Sequence, residues 1–306
     1  MKNIKIVEVG LRDGLQNETT LLSIQQRMDL LDLLIQAGIQ NFELGAYVSP
    51  KWVPQMACTE ELHTLYNKKY LNKKYDSKLH PSFLVPNEQG MLKAIKNKAK
   101  EVAVFASASE TFSKKNINCT IEESFERFIP IFKLAKQNKV KVRGYLSVCF
   151  GCPYEGAIDE KKVIQLATKL YKMGCYEISI GDTIGIANAF QVESIFKKIQ
   201  KVIPAYKVAG HFHDTRGQAL ANILAAYQVG IRIFDSSIGG LGGCPYAKGA
   251  TGNVATEDVL FMFQKMNVNS NINLQKLIQI NHWLEPQMNH ALSSKVSKVG
   301  LGKTIS

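Results

Sequence analysis

Long apolar runs are missing from this chain. None approaches the roughly 20 residues that cross a bilayer, so no segment is expected to span a membrane. Met1-Lys2-Asn3 leads straight into a β-type stretch and leaves no room for a signal or transit peptide. A cytoplasmic protein is therefore the expectation. Cysteine is sparse: Cys58, Cys119, Cys149, Cys152, Cys175 and Cys244 are scattered over 306 residues, which excludes a disulfide framework and implies reduced thiols. Cys149 and Cys152 have C-x-x-C spacing, but they follow a strand instead of opening a helix, and no second pair completes a zinc site. Arginine is scarce among the clustered lysines (Lys68 to Lys78, Lys93 to Lys100, Lys114-Lys115) behind the net charge of +12. No nucleic-acid motif accompanies them, so solvated helix faces with some attraction for an anionic small molecule are expected instead. No Pro-rich or Ser-rich linker divides the chain, and nothing repeats beyond a βα unit.

What is present is a rhythm of strand and helix. Residues 4–9 alternate apolar and polar, stop at Gly10, and release Arg12, Asp13 and Gln16 into a loop. A helix follows over 23–37, capped by Ser23 and ended by Gly38. Further strands are predicted at 41–44, 81–85, 101–106, 141–148, 176–180, 207–212 and 231–236, with helices between them. One of these, over 120–137, opens with a capping box from Thr120 to Glu123, after a polar loop over 107–119. Eight alternations at this length predict an α/β fold, a single closed (β/α)8 TIM barrel spanning 1–270. Residues 271–306 are expected to add a helix over 274–284 and a tail packed on the barrel.

Barrel chemistry sits at the C-terminal ends of the strands. There, His211 and His213 stand two apart on the seventh strand and so face the same way. Asp13 closes on them because strands one and eight adjoin in a barrel, and Asn253 adds a carbonyl oxygen. Imidazole and oxygen donors without thiolate suit Mg²⁺ or Mn²⁺, whereas zinc prefers a tighter tetrahedral set. The glycine-rich stretch 239–249 lacks the Walker pattern and reads as a mobile lid carrying Cys244 as a proton-passing thiol. Glu43, Arg143 and Asp182 complete the ring at strands two, five and six, and Glu257 reads as a helix-dipole acid.

With these residues assembled, the chain resembles the 3-hydroxy-3-methylglutaryl-CoA (HMG-CoA) lyase family of metal-dependent TIM-barrel enzymes. The likeness runs from Ile6 to about Val296 and includes VEVGLRDGLQNE at 7–18, VSPKWVPQM at 48–56, KKNINCTIEESFERF at 114–128, GCPYEG at 151–156 and GCYEISIGDTIG at 174–185. The stretch GGLGGCPYAKGATGNVATED at 239–258 is the most specific, since related isopropylmalate and homocitrate synthases share the Arg-Asp and His-x-His elements without it. The resemblance implies metal ligation by Asp13, His211, His213 and Asn253, and a catalytic set of Arg12, Glu43, Asp182, His211 and Cys244. It gives Arg12 the enolate oxygen, makes Cys244 the proton carrier, and makes Gln16 and Arg143 substrate-positioning residues. It implies cleavage of HMG-CoA to acetyl-CoA and acetoacetate, a reaction of leucine degradation and ketone-body metabolism, with an acyl-CoA as partner and a homodimer as assembly. Leu44-Gly45-Ala46-Tyr47 stands where many relatives carry hydroxylated residues, so a related 3-hydroxyacyl-CoA or 2-oxo acid is the alternative substrate class. The tail lacks a cysteine, so redox control through a C-terminal thiol is not expected.

Overall fold

The computed structural model describes residues 3–71, 73, 76–243 and 252–301. Eight strands, β1 (Lys5–Glu8), β2 (Asn41–Ala46), β3 (His80–Leu84), β4 (Glu101–Ser107), β5 (Lys141–Ser147), β6 (Glu177–Asp182), β7 (Val208–Phe212) and β8 (Ile233–Ser236), pair in parallel and in chain order. β1 closes on β8 with Lys5 opposite Ile233 and Val7 opposite Asp235, making the barrel.

Strand alternation divides the side chains into two environments. Val142, Leu146, Ile178, Ile180, Phe212 and Phe234 point outward into the large core shared with the helices. The inward-facing set is mixed. Val7, Val9, Ala209 and Ile233 form a small apolar plug inside the barrel. Arg143, Tyr145, Glu177, Ser179 and Asp235 share that interior and are buried with it. Buried charges must be paired, and these are. Lys5 Nζ meets Glu177 Oε2 at 2.5 Å, and Arg143 bonds Glu177 at 2.7 Å and Asp235 at 2.7 Å.

Every predicted strand is present, with ends shifted by one or two residues. Both predicted caps form as full capping boxes, Ser23 with Gln26 and Thr120 with Glu123. Three local expectations are corrected. The segment after β1 is not an open loop but one turn of π-helix over Gly10–Gly14. The polar stretch 107–119 contains a helix, Glu110–Ile117, started by Ser109, whose hydroxyl accepts from Phe112 N–H. Its few apolar positions hide the helical period from the sequence. Glu257 is more than a helix-dipole acid. It is fully buried in the first turn of helix Thr256–Lys265 and accepts from Asn281 and from the Gly239 N–H.

The C-terminal helix runs over Leu274–Met288, past the predicted end and through Pro286, and a short helix Lys295–Val299 follows. Leu274, Leu277, Ile278, Ile280, Leu284 and Met288 belong to the same apolar core as the barrel helices. The helix Thr59–Tyr70 likewise extends into the lysine-rich segment, where Lys69 pairs with Asp32 at the surface.

Candidate active site

The site grows from the C-terminal ends of β1, β2, β7 and β8. The π-turn that ends β1 turns Arg12 and Asp13 back over the barrel mouth. Gly10 is needed there: a Cβ on it would stand 2.6 Å from Glu8 Oε1 and 2.9 Å from Ile238 Cγ2. Arg12 Nε donates to Glu43 Oε2 at 2.8 Å, and its Nη1 donates to Asp13 Oδ1 at 2.7 Å. The guanidinium lies 5.6 Å from the centre of the Tyr145 ring. Two carboxylates and an aromatic face thus fix one buried cation. Burial opposes the charge, but Glu43 and Asp13 outweigh it and hold Arg12 protonated.

His211 and His213 emerge from β7 side by side, ring centroids 5.2 Å apart. Among the described residues, Asp13, His211 and His213 bring one ligand atom each within 4.8 Å of one another. Burial pushes the Asp13 carboxyl up, yet Arg12 and the two imidazoles hold it at about 2. Burial and the neighbouring His211 hold His213 down at about 3, a neutral imidazole. Its Nδ1 is buried without a hydrogen-bond partner among the described residues. A buried polar atom left alone carries a desolvation cost of about 1–3 kcal/mol, which a cation would remove. His211 is oriented from behind, its Nδ1 meeting Asp235 Oδ2 at 3.3 Å. Burial alone would lower the His211 pKa, but Asp235 raises it above the ordinary value. That contact leaves Nε2 facing the site, the arrangement by which a carboxylate fixes the tautomer of a metal-binding histidine. Asn253 donates its amide to Asp13 Oδ2 at 2.8 Å and to the Leu241 carbonyl at 3.2 Å, which leaves its carbonyl oxygen for a cation. One carboxylate, two imidazoles (one with an orphaned nitrogen) and an amide oxygen fit a hard-to-intermediate divalent ion.

The other expected residues are placed as follows. Glu43 is fully buried. Burial pushes its pKa up against the pull of Arg12, and its Oε1 has no hydrogen-bond partner among the described residues. Asp182 accepts from Ile186 N–H and Ala187 N–H, both at 3.0 Å, so it also shapes the loop after β6, and burial raises its pKa. Arg143 lies inside the barrel, locked to Glu177, Asp235 and the Tyr145 hydroxyl. Gln16 is half-buried just past the π-turn. Cys244 lies outside the described residues. Cys149 and Cys152 are buried free thiols, donating to the Leu146 carbonyl and the Ser109 hydroxyl, both at 3.0 Å.

Two contributors escape sequence reading. Tyr145 follows Arg143 by two and shares its face, a signal the alternation carried. Asp235 becomes visible only through register, since it pairs opposite His211 across β7 and β8. From Asp235 the polar chain runs on to Ser179 at 2.7 Å and Arg143 at 2.7 Å.

Comparison with known proteins agrees with this geometry. The family model described as HMGL-like matches residues 3–284. The human mitochondrial hydroxymethylglutaryl-CoA lyase is 47% identical over 97% of this chain and 89% of its own. The 3-hydroxy-3-isohexenylglutaryl-CoA/hydroxy-methylglutaryl-CoA lyase of Pseudomonas aeruginosa is 44% identical over 99% of this chain and 98% of its own. The crystal structure of hydroxymethylglutaryl-CoA lyase from Pseudomonas aeruginosa superposes with a TM-score of 0.93, covering 99% of each chain. A family-model match over residues 3–284, 44–47% identity over nearly the whole chain and the shared barrel place this chain in the HMGL-like family.

Proposed function

We propose that the protein is a divalent-cation-dependent carbon–carbon lyase that cleaves HMG-CoA to acetyl-CoA and acetoacetate. The observation that carries this reading is the meeting of Asp13, His211 and His213 beside the Arg12–Glu43 pair at one barrel mouth. Asp13, His211, His213 and Asn253 would hold the ion, and the thiolate-free donor set favours Mg²⁺ or Mn²⁺. When bound, such an ion acidifies the substrate's C3 hydroxyl and offsets charge on its oxygens.

The chain's own groups do the rest. Glu43 Oε1, buried and raised in pKa, accepts the hydroxyl proton. The C3 oxygen forms a carbonyl as the carbon–carbon bond breaks, and the bonding pair passes to the thioester fragment as an enolate. Arg12 donates to that enolate oxygen, a role its fixed, buried guanidinium performs without reorganising. The Cys244 thiol protonates the carbon to complete acetyl-CoA, and solvent returns the thiolate and the Glu43 acid to their starting states. Asp182 holds the β6 loop against the site. Arg143 acts from below through Asp235 to keep His211 in place.

The departure at Leu44 to Tyr47 keeps a second substrate class in view. Gly45 faces Thr59, where a Cβ would stand 2.7 Å from Oγ1, and that hydroxyl accepts from Ala46 N–H at 3.2 Å. A helix threonine thus serves the strand end from outside the barrel, and the changed Leu44–Tyr47 segment is the reason a related 3-hydroxyacyl-CoA is tested beside HMG-CoA. Leucine degradation as the pathway and a homodimer as the assembly are proposed from the resemblance. Among the described residues, no helix is long and apolar enough to cross a membrane.

The test is acetoacetate release from HMG-CoA in a coupled assay, before and after EDTA and with Mg²⁺ or Mn²⁺ returned. Cleavage that disappears with chelation and returns with the ion supports the reading. Cleavage indifferent to EDTA, or none with the ion restored, overturns it. Running longer 3-substituted acyl-CoAs beside HMG-CoA decides the substrate class.

A further inference from the structure

The C-terminal segment reaches back to the barrel mouth. Beyond helix Leu274–Met288, His290 places Nε2 2.7 Å from Glu18 Oε2 and Nδ1 3.0 Å from the Ala291 carbonyl oxygen. Both partners are acceptors, and only a doubly protonated imidazole donates from both nitrogens. Glu18 is buried and uses its second oxygen, Oε1, to accept the Gly242 N–H at 3.3 Å. Gly242 sits at φ +113°, and a Cβ there would come within 2.8 Å of Asn253 Nδ2 and 3.4 Å of Gly14 Cα. The preceding carbonyl, Leu241 O, accepts from Asn253, which in turn donates to Asp13. The next residues, Ser293 and Ser294, bond the Gly239 carbonyl at 2.9 and 3.3 Å from their backbone N–H groups.

We infer that Glu18 and His290 are positioning residues for the Asp13–Asn253 side of the site. His290 as imidazolium holds Glu18, and Glu18 holds the turn against which Asn253 is seated. This rests on the cation-dependent reading above. The charged groups facing His290 are Glu18, from the segment after the π-turn, and Glu285, on helix Leu274–Met288, whose Oε1 accepts the Leu292 N–H. Burial pulls the imidazole down, but the Ala291 carbonyl and Glu18 outweigh it and hold His290 above its ordinary value. The two-bond arrangement is complete below the ordinary histidine pKa. It is lost as pH rises through the raised one, when one nitrogen no longer donates.

Wild type, His290→Ala, His290→Arg and Glu18→Gln are titrated with Mn²⁺, free ion being read by electron paramagnetic resonance, at about pH 6.5 and about pH 8.5. His290 is exposed, so its variants are expected to fold, and melting curves by circular dichroism verify this for all four proteins. At the lower pH, His290→Ala and Glu18→Gln are expected to bind Mn²⁺ about 10-fold more weakly, the low end for outer partners of a metal site. His290→Arg keeps a permanent cation and is expected to match wild type there. Relative to His290→Arg, wild type is expected to lose affinity at the higher pH. Equal affinities across the folded proteins at both pH values overturn the inference. HMG-CoA cleavage measured in parallel separates the two readings. Wild type that cleaves, with equal Mn²⁺ affinities throughout, sinks only the positioning role. Wild type that does not cleave, with His290→Ala still weaker, sinks only the lyase assignment.

Discussion

Arg12 shows how one side chain serves both folding and chemistry. Its guanidinium pairs with Glu43 and Asp13 in a buried site, and in the proposed reaction it would also donate to the enolate oxygen. Arg12→Gln is expected to lower kcat by about 10²–10³, the usual loss for one preorganised donor at an oxyanion. Steady-state turnover checks it, and wild-type-like kcat would refute the role. Asp235→Asn is expected to weaken Mn²⁺ binding by about 10–100-fold by releasing His211 Nδ1, read by calorimetric titration. Unchanged affinity would reduce Asp235 to a partner of Arg143. At this scale the candidate cation-holding groups were legible in the sequence: His211 and His213 share a face by spacing, and Asp13 leaves the end of β1, separated from β7 only by β8. Asp235 was not, because an aspartate in an apolar strand has no marker until cross-strand register sets it against His211. Arg143 was legible as a strand residue, while its sequestration beneath the site depended on partners from β6 and β8.

Among the elements, the strands were read almost to the residue because β-branched alternation and flanking turns mark them strongly. The helix Glu110–Ile117 and the π-turn Gly10–Gly14 were missed because their residues are polar, glycine-rich or too few to show a period. What joins β1, the turn after β8 and the last barrel helix is a pair of buried carboxyls. Glu8 accepts from Gly10, Ile238 and Thr256, and Glu257 accepts from Gly239 and Asn281. Burial raises Glu8 to about 7 and Glu257 to about 8. Both therefore keep a proton in the folded state where the unfolded chain has released it. Between the ordinary carboxylate value and these raised values the folded state binds more protons, so stability falls as pH rises through that window. The melting temperature is expected to decline from about pH 5 to about pH 8. Glu257→Gln, which keeps an acceptor for Gly239 and Asn281, is expected to decline less. Identical slopes in circular-dichroism melts would mean that Glu257 does not contribute to this pH dependence.

At the scale of the whole molecule, barrel closure and the segment beyond it are a joint construction. β1 is held by β8 on one side and β2 on the other, while at the end of the first helix the Ala37 carbonyl accepts from Asn273 N–H and Gly38 abuts Asn271. The sequence divides at about residue 270 by rhythm alone, yet the apolar face of helix Leu274–Met288 completes the barrel's own core. Ending the chain at residue 270 is expected to leave a protein that does not melt cooperatively, since it removes the packing that about six large apolar side chains contribute to the barrel's core, roughly 1.5–3 kcal/mol each, and uncovers the surface beneath them. A cooperative transition in differential scanning calorimetry would show the barrel to be self-sufficient. The reach of residues 281–294 to Gly239 also has a temporal side. Asn281 and Ser293 come after all eight strands in the chain, so synthesis passes through a stage at which the strands are complete and the rim at Gly239 is still unbraced. Competence is thus expected only once residues 281–294 have been made, and chains abandoned before them are expected to be idle.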